Sequence, residues 1–358
     1  MIKGKKLTQQ QLFLPIMCVI LVLLVNVIYD AASGNPFYEF FRVYISDGGV
    51  LSGRLVNILN RGSEVAILAI GMTLVVSASA GTDISVGSVM SLCASFCCML
   101  VAGFGVSSVA DASEFAMPLA VGLIGALAMG CLCGAFNGAL VSYLNIQPMV
   151  ATLILWSAAR AIGLLLCNNL IVYIRVPEFS FYGGYLGIFP TPILIAAVCI
   201  LVVSVVLKKT AMGMYIQSVG INKKASRIAG LKSKRIIFAC YLICGLCAGI
   251  AGIVNSSRIT SADSNNIGLN MELDAILAVA LGGNSLGGGR FNLAGSIIGA
   301  YTIQAITTTM YNLGVSTAVN PVFKAVIVIV IVAIQSQPLQ DAVKKLRARK
   351  ADKEVSRA

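Results

Sequence analysis

The chain has 358 residues, of which 58% are hydrophobic and only 11% are charged, and its mean hydropathy is +0.90. Soluble globular domains carry about a quarter charged residues, so this composition excludes a soluble domain. Apolar runs of about 20 residues, long enough to cross a bilayer as helices, recur along the whole length. We therefore predict an all-α polytopic membrane protein.

Ten transmembrane spans are predicted in chain order. They cover about 12–29, 54–79, 88–105, 117–143, 149–168, 190–207, 235–255, 272–282, 293–312 and 321–336. Segments 30–53, 169–189 and 256–271 are predicted to be loops on the outside. The whole chain, 1–358, is expected to form a single transmembrane domain with a cytoplasmic loop at 208–234 and a basic tail at 337–358.

The positive charges predict the orientation of these spans. The formal net charge is +12, and most of the 26 Lys and Arg residues lie in three hydrophilic segments, 3–6, 208–235 and 344–357. Cytoplasmic loops of membrane proteins carry an excess of basic residues. Both termini and the central loop are therefore predicted to be cytoplasmic, and this placement argues against nucleic acid as a partner.

The 11 cysteines all lie in apolar runs, and the chain contains no His. Cys240, Cys244 and Cys247 fall on one face of a predicted helix. A redox or zinc site needs polar surroundings and, for zinc, further ligands. The sequence offers none nearby, so we interpret these cysteines as small packing residues and predict neither a metal nor a cofactor.

A hydrophilic break, residues 80–87 (Ala-Gly-Thr-Asp-Ile-Ser-Val-Gly), interrupts a long apolar run. A charged carboxylate in the middle of a membrane costs about 2.5–3.5 kcal/mol on insertion scales. Unwound backbone at that depth is tolerated only when it is buried in protein or lines a wet cavity. Thr82, Asp83 and Ser85 are therefore predicted to line a translocation path or to hold helices together from inside. A simpler alternative is that Asp83 caps the next helix.

A second break, residues 282–292, separates the eighth and ninth predicted spans. Interrupted helices in corresponding places of two halves point to the translocation site of a transporter, so we place Asn284, Ser285 and Asn292 on the same path. The alternative is that the second break echoes the first by coincidence, in a chain this rich in Gly, Ala, Ile and Leu. The break is rich in glycine but lacks the Gly-Lys-Ser/Thr of a phosphate-binding loop, and no such motif occurs elsewhere in the chain. Any ATP hydrolysis is therefore expected in a separate subunit.

The cytoplasmic loop is predicted to contain a short helix at about 223–229. Asn222 is placed to cap it, and Gly230 is placed to end it. The apolar residues of this helix share one face, and its lysines lie opposite. Such a helix either lies on the membrane surface or docks on a partner protein.

The first break resembles a family signature. Residues 81–88 (Gly-Thr-Asp-Ile-Ser-Val-Gly-Ser) are similar to the Gly-Ile-Asp-Leu-Ser-Val-Gly of monosaccharide ABC importer permeases, the ribose, xylose and galactose group. Ala80, Thr82 and Ile84 depart from it, because the family usually has Gly, Ile and Leu there. The resemblance extends from about Ile58 to Gln335, and it is strongest to permease subunits of galactofuranose importers, in which two different permeases pair.

The cytoplasmic loop also resembles this family. Its Gly-x-Asn-x-x-Ala-x-x-x-Gly stretch is similar to the coupling helix that sits in a cleft of the ATPase subunit. The resemblance implies a role in ATPase coupling for Gly220, Asn222, Ala225, Arg227 and Gly230.

The resemblance implies a permease subunit, not itself an enzyme, of an ATP-driven importer in the bacterial inner membrane. The implied cargo is a monosaccharide, galactofuranose or another pentose or hexose. The implied partners are an ABC ATPase, a second permease in a homodimer or heterodimer, a periplasmic or extracellular sugar-binding protein, and membrane lipid. A stand-alone secondary carrier or facilitator for a small polar solute is the alternative, since it would share the spans and the breaks.

Overall fold

The helices of the computed structural model follow most of the predicted apolar runs. The structure describes residues 13–32, 36, 38–46, 48–316, 319 and 321–326. The helices are α1 (Phe13–Ala32), α2 (Arg54–Ser79), α3 (Val86–Ala102), α4 (Leu119–Ser142), α5 (Pro148–Leu166), α6 (Pro177–Ser180), α7 (Thr191–Lys209), α8 (Met212–Ile221), α9 (Lys223–Ile228), α10 (Ser233–Ile259), α11 (Met271–Leu281) and α12 (Leu293–Asn312). The described residues divide into two compact units between Ala305 and Ile306. The second unit contains the end of α12 and the helical residues 321–326.

The prediction of a polytopic helical membrane protein is confirmed, but the count of ten spans is not. Within the described residues, five helices are long and apolar enough to cross a membrane, namely α2, α4, α5, α7 and α10. Helix α11 has 11 residues and rises only about 16 Å, roughly half the hydrocarbon thickness. The predicted eighth span is therefore not a full helix. The tenth span beyond residue 326, and the basic tail, lie outside the described residues.

Short strands mark one end of the first unit. The strands are β1 (Tyr44–Ile45), β2 (Leu51–Ser52), β3 (Ser108–Val109), β4 (Val172–Ile174), β5 (Tyr185–Leu186), β6 (Phe189–Pro190) and β7 (Ser261–Ala262). Strand β4 pairs in parallel with β3 and antiparallel with β7, while β1–β2 and β5–β6 are hairpins. These strands precede α2 and α7 or follow α3, α5 and α10, so we call this the strand end. Helices α8 and α9 follow α7 at the opposite end.

Helix α2 is the central helix of the bundle. It packs against α7, α8, α10 and α11, and 94% of its most apolar stretch is buried. Its side chains from Val65 to Val76 are apolar nearly all round, and all of them are buried. A helix that is hydrophobic on every side is covered either by protein or by lipid, and here neighbouring helices cover α2.

Glycines bring α4 and α10 into close contact, as the glycine spacing of the fourth span predicts. A Cβ atom on Gly130 would overlap the carbonyl oxygen of Gly245, and one on Gly134 would overlap the carbonyl oxygen of Tyr241. Lipid tails are as apolar as the helices, so helices in membranes associate through such close packing.

The segment 256–271, predicted as a polar loop on the outside, begins as helix and is largely buried, while its side of the membrane stays a prediction. Helix α10 continues to Ile259, β7 follows at the strand end, and the residues after β7 turn back along α3 inside the bundle. Ser91 Oγ donates to the carbonyl oxygen of Ser264 at 3.0 Å, and the Ser95 and Ser264 Oγ atoms lie 2.6 Å apart. Ser264 is thus matched by serines of α3, while Ser257 and Arg258 bond to Phe179 and Asn60, and a hydropathy pattern does not register such partners.

We expect Gly130→Val to lower the free energy of unfolding by about 1–3 kcal/mol, because its side chain would enter the backbone of α10. Thermal unfolding of the detergent-purified protein measures this. The matched control is Ala128→Val on the exposed side of the same helix, which should leave the melting temperature nearly unchanged. Equal melting temperatures for the two variants would contradict the packing described for α4 and α10.

Candidate functional site

The first break forms a buried hydrogen-bonded group at the start of α3. Asp83 Oδ1 accepts from the Ser85 backbone N–H at 2.9 Å and from Ser85 Oγ at 2.6 Å. Asn137 Nδ2 from α4 donates to Ser85 Oγ at 2.8 Å. Asp83, Ser85 and Asn137 are each at most 2% exposed. Asp83 therefore caps the turn that opens α3, and the group joins α3 to α4.

This carboxylate lies in the middle of the bundle. Asp83 and Ser85 line the same small internal space as Gly245 and Ala248, which are near the midpoint of the 27-residue α10. Helix α2 ends where Ala80 adopts the left-handed conformation, with φ 54°. The chain then turns back before α3 begins, so α3 starts at depth rather than at the surface.

Thr82 is buried at the same break and is held by α5 through its backbone. The Ile84 N–H donates to Thr152 Oγ1 at 3.2 Å, and Thr152 Oγ1 lies 3.5 Å from the Thr82 carbonyl oxygen. The bend between α2 and α3 is thus satisfied by a side chain of α5, as irregular backbone inside a membrane requires.

The second break is joined by Asn284 and Asn292. Asn284 Oδ1 accepts from the Asn292 backbone N–H at 2.6 Å, and Asn284 Nδ2 donates to Ser296 Oγ at 2.7 Å. Ser296 Oγ lies 2.7 Å from Thr73 Oγ1, which ties this turn to α2. Ser285 stands apart from this group, because its side chain is exposed and bonds only locally to Gly287 N–H.

The two breaks meet at the end of α2, although their hydrogen-bonded side chains form two separate groups. The Gly289 backbone N–H donates to the Ser77 carbonyl oxygen at 3.0 Å. A Cβ atom on Gly288 would approach Ala80 to 3.0 Å. A movement at the end of α2 would therefore reach both breaks.

The predicted short helix in the central loop is confirmed as α9. Asn222 Oδ1 accepts from the backbone N–H groups of Lys224 and Ala225, each at 3.0 Å, and Gly230 follows the helix with φ 84°. Ile228 is 90% exposed, and Ala225 is also exposed. Helix α9 thus presents a small apolar face that no described residue covers.

Positive charges surround this exposed face. Burial lowers the pKa of the Lys223 ammonium, and the nearby charges of Lys234 and Arg227 lower it further. Arg227 itself is exposed. Because these like charges repel one another, a partner that brings carboxylates to α9 would relieve the repulsion.

Helix α8 connects this face to the breaks. The Gly220 backbone lies against the Ser77 carbonyl oxygen and the Gly289 backbone nitrogen, and a Cβ atom on Gly220 would overlap that carbonyl oxygen. The end of α8 therefore touches the end of α2 and the second break at once.

A further polar group at the start of α11 was missed by the sequence reasoning. Trp156 Nε1 of α5 donates to Glu272 Oε1 at 3.2 Å. Arg160 Nη1 donates to the carbonyl oxygens of Ser264 and Asn265 at 2.8 and 2.9 Å. The sequence contains one signal, an acidic residue at the start of a short span, but nothing in it indicates which helix that residue meets.

Known transport proteins are similar to this chain over most of its length. A family model described as the permease component of branched-chain amino acid transport systems matches residues 54–334. The galactofuranose transporter permease of Escherichia coli K12 is 44% identical, over 87% of each chain. The fructose import permease of Bifidobacterium longum is 35% identical, over 99% of this chain and 96% of that protein.

The ribose import permease of Escherichia coli K12 is 34% identical, over 79% of this chain and 85% of that protein. No solved structure shows a significant match. Membership of an ABC importer permease family implies an ATPase and a binding protein as partners. The chain therefore belongs to the family of ABC transporter permeases that includes these sugar importers, and it is a multi-pass membrane transport subunit rather than an enzyme.

Proposed function

We propose that this chain forms the translocation path of an ATP-driven importer for a monosaccharide, galactofuranose or another pentose or hexose. The named cargoes of three relatives that cover most of the chain support this class of substrate. The observation that carries the proposal is the contact of the Gly220 backbone with both Ser77 and Gly289. This contact connects α8 to the two helix breaks, and α8 leads directly into α9, which carries the exposed docking face.

Coupling would begin at α9. An ATPase subunit would cover the exposed Ala225 and Ile228, with Asn222 holding the helix in shape and Gly230 ending it. Closure of the ATPases would move α8, and Gly220 would transmit this movement to the end of α2. Because α2 ends beside both breaks, its displacement would change the packing of α3 and α11 together.

The path itself would run beside the breaks, along Thr82, Asp83 and Ser85 on one side and Asn284, Ser285 and Asn292 on the other. A sugar carries no charge, so its path requires hydroxyl, amide and carboxylate groups that exchange hydrogen bonds with it. Asp83 supplies such a group in the middle of the bundle, and Asn284 supplies one beside the end of α2. In the present conformation they bond to Ser85 and Ser296, so opening the path would free them.

A second permease, identical or different, would complete the path, and both termini would lie in the cytoplasm with α8 and α9. The excess of Lys and Arg around α9 supports this orientation. A stand-alone carrier would share the breaks but would have no use for an exposed face on α9. Sugar uptake by the purified chain alone, in liposomes without ATP, would favour that alternative.

Purification of the tagged chain from its native host in mild detergent tests the proposed class directly. We expect mass spectrometry to find an ABC ATPase in the same complex, and a second permease if the importer is heterodimeric. If the folded chain purifies reproducibly without partner proteins, the proposal of an ABC importer is contradicted. Helix α9 would then be a helix that lies on the membrane surface.

We expect Ala225→Arg to lower sugar uptake at least about tenfold, equivalent to roughly 1.4 kcal/mol, because it places a charge on the apolar docking face. Radiolabelled sugar uptake into cells that depend on this importer measures the effect. The matched control is Ala110→Arg, an exposed alanine at the strand end, which should transport normally. Normal uptake by Ala225→Arg would remove α9 from the coupling mechanism.

Gly220→Val tests whether movement passes from α8 to α2, separately from whether the ATPase docks on α9. Its side chain would enter the backbone of Ser77, so we expect uptake to fall at least about tenfold while the ATPase still co-purifies. Gly48→Val is the control, since Gly48 has open space around it and lies at the strand end. If Gly220→Val transports as well as this control, the contact of α8 with α2 has no role in coupling.

A further inference from the structure

A pocket of about 380 Å³ opens at the strand end, between the two hairpins and the start of α2. The hairpins are joined there, because the Leu51 backbone N–H donates to the Ile188 carbonyl oxygen at 2.9 Å. Small-molecule sites in proteins usually measure about 300–1,000 Å³, so this pocket has room for a small ligand. We call it the strand-end pocket. Its polar lining consists of Arg42, Tyr44, Ser52, Arg54, Asn57, Asn60 and Tyr185.

The lining residue furthest along α2, Asn60, is fixed by a buried polar group. Arg258 Nη2 of α10 donates to the carbonyl oxygen and to Oδ1 of Asn60, at 2.9 and 3.1 Å. Arg258 Nη1 lies 2.9 Å from Oε1 of Glu64, which is only 3% exposed, and Glu64 Oε2 accepts from Asn255 Nδ2 at 2.7 Å. Asn60 is therefore already held in place, which lowers the entropy cost of binding a ligand.

Other polar side chains of the pocket have hydrogen-bonding capacity to spare. Asn57, Tyr44 and Tyr185 are exposed, and their side chains form no hydrogen bond with any described residue. An amide group and a phenolic hydroxyl group can each donate and accept, and a tyrosine ring adds apolar surface beside its hydroxyl. A sugar ring, which carries both O–H and C–H groups, matches this combination.

The charges of the pocket favour a neutral ligand. Its lining contains no acidic residue within the described part of the chain, so it does not suit a cation. Arg54 Nη1 bonds to both carboxylate oxygens of the buried Asp30, at 2.6 and 2.8 Å, which balances its charge. Arg42 is engaged as well, since its guanidinium lies 5.8 Å from the centroid of the Tyr44 ring. An anion would need an arginine that is not engaged, so phosphate serves as the competing ligand in the test.

We infer that the strand-end pocket is an outer carbohydrate site, which receives a monosaccharide before it enters the translocation path. The inference rests on the proposed function, because the proposed orientation places the strand end outside the cytoplasm. Asn57 and Asn60 would exchange hydrogen bonds with the sugar hydroxyl groups, while the two tyrosine rings would cover its C–H side. Because α2 begins at this pocket and ends beside the two breaks, the site stands at the entrance to the proposed path.

Ser52→Cys reports on this pocket, because Ser52 lines it and its hydroxyl group makes only one long hydrogen bond, 3.5 Å from the Val50 carbonyl oxygen. All 11 natural cysteines are buried or partly buried, so the natural chain gives the background reaction. The full-length variant in lipid nanodiscs is treated with a charged methanethiosulfonate reagent. We expect at least one of D-galactose, D-fructose and D-ribose to slow the reaction saturably, at least about fivefold, because only the empty pocket reacts. Inorganic phosphate should not slow it.

Asn57→Ala, added to the Ser52→Cys variant, should shift the sugar midpoint to about fivefold higher concentration or more, because it removes an amide that bonds to the sugar. Ser107→Ala is the matched control, since Ser107 is exposed at the strand end but does not line this pocket, and it should leave the midpoint unchanged. Ala110→Cys is the control reporter, and sugars should not slow its reaction. Leu51→Cys, which also lines the pocket, replaces Ser52→Cys if that variant fails to fold.

The outer site is overturned if no sugar slows the reaction of the pocket cysteine, if sugars slow the reaction of Ala110→Cys equally, or if Asn57→Ala leaves the midpoint unchanged. Protection by phosphate that equals or exceeds protection by the sugars would also overturn it, because the pocket would then bind anions.

The failure of this inference is distinguishable from failure of the proposed function. If sugar uptake proceeds with the ATPase bound while no sugar protects the pocket cysteine, only the outer site is wrong. If the chain purifies without an ATPase and cells accumulate no sugar through it, the proposed function is wrong.

Discussion

The structure depends on one constraint, which is that backbone polar groups inside a membrane must be satisfied by the protein itself. Two irregular segments lie inside the bundle, at 80–85 and at 263–270. Backbone groups of the first are satisfied by Thr152 of α5 and by the Asp83 side chain, and those of the second by Ser91 of α3 and Arg160 of α5. The contact of Gly87 with Gly268 brings the two segments together, because neither residue has a side chain to separate their backbones.

This arrangement makes the irregular segments both stable and movable. Their hydrogen bonds hold the starts of α3 and α11 in the interior of the bundle. Uninterrupted helices would satisfy their own backbone groups and would present no polar backbone there. The same segments are held by side chains on several different helices, so a shift of one helix changes several bonds at once. Helix α8 is positioned to produce such a shift, because it touches the end of α2 between the two breaks.

Much of the fold could be predicted from the sequence, because hydropathy follows directly from composition and membrane thickness. The bounds of α2 match the predicted span, and those of α4, α5 and α7 agree within a few residues. Asn222 and Gly230 predicted α9, since capping is a local property of the backbone. The prediction failed at 256–271, where polar residues are satisfied by residues far away in the chain.

The sequence by itself determined the class of protein, the presence of two breaks, the short helix of the central loop and the resemblance to sugar permeases. Each of these rests on local composition, capping or a contiguous motif. Only the tertiary structure decided that Asn137 joins Ser85 at the first break, that Gly220 touches both breaks, and that Glu272 meets Trp156. Those pairs are separated by about 50 to 145 residues, and only helix packing determines which of them come into contact.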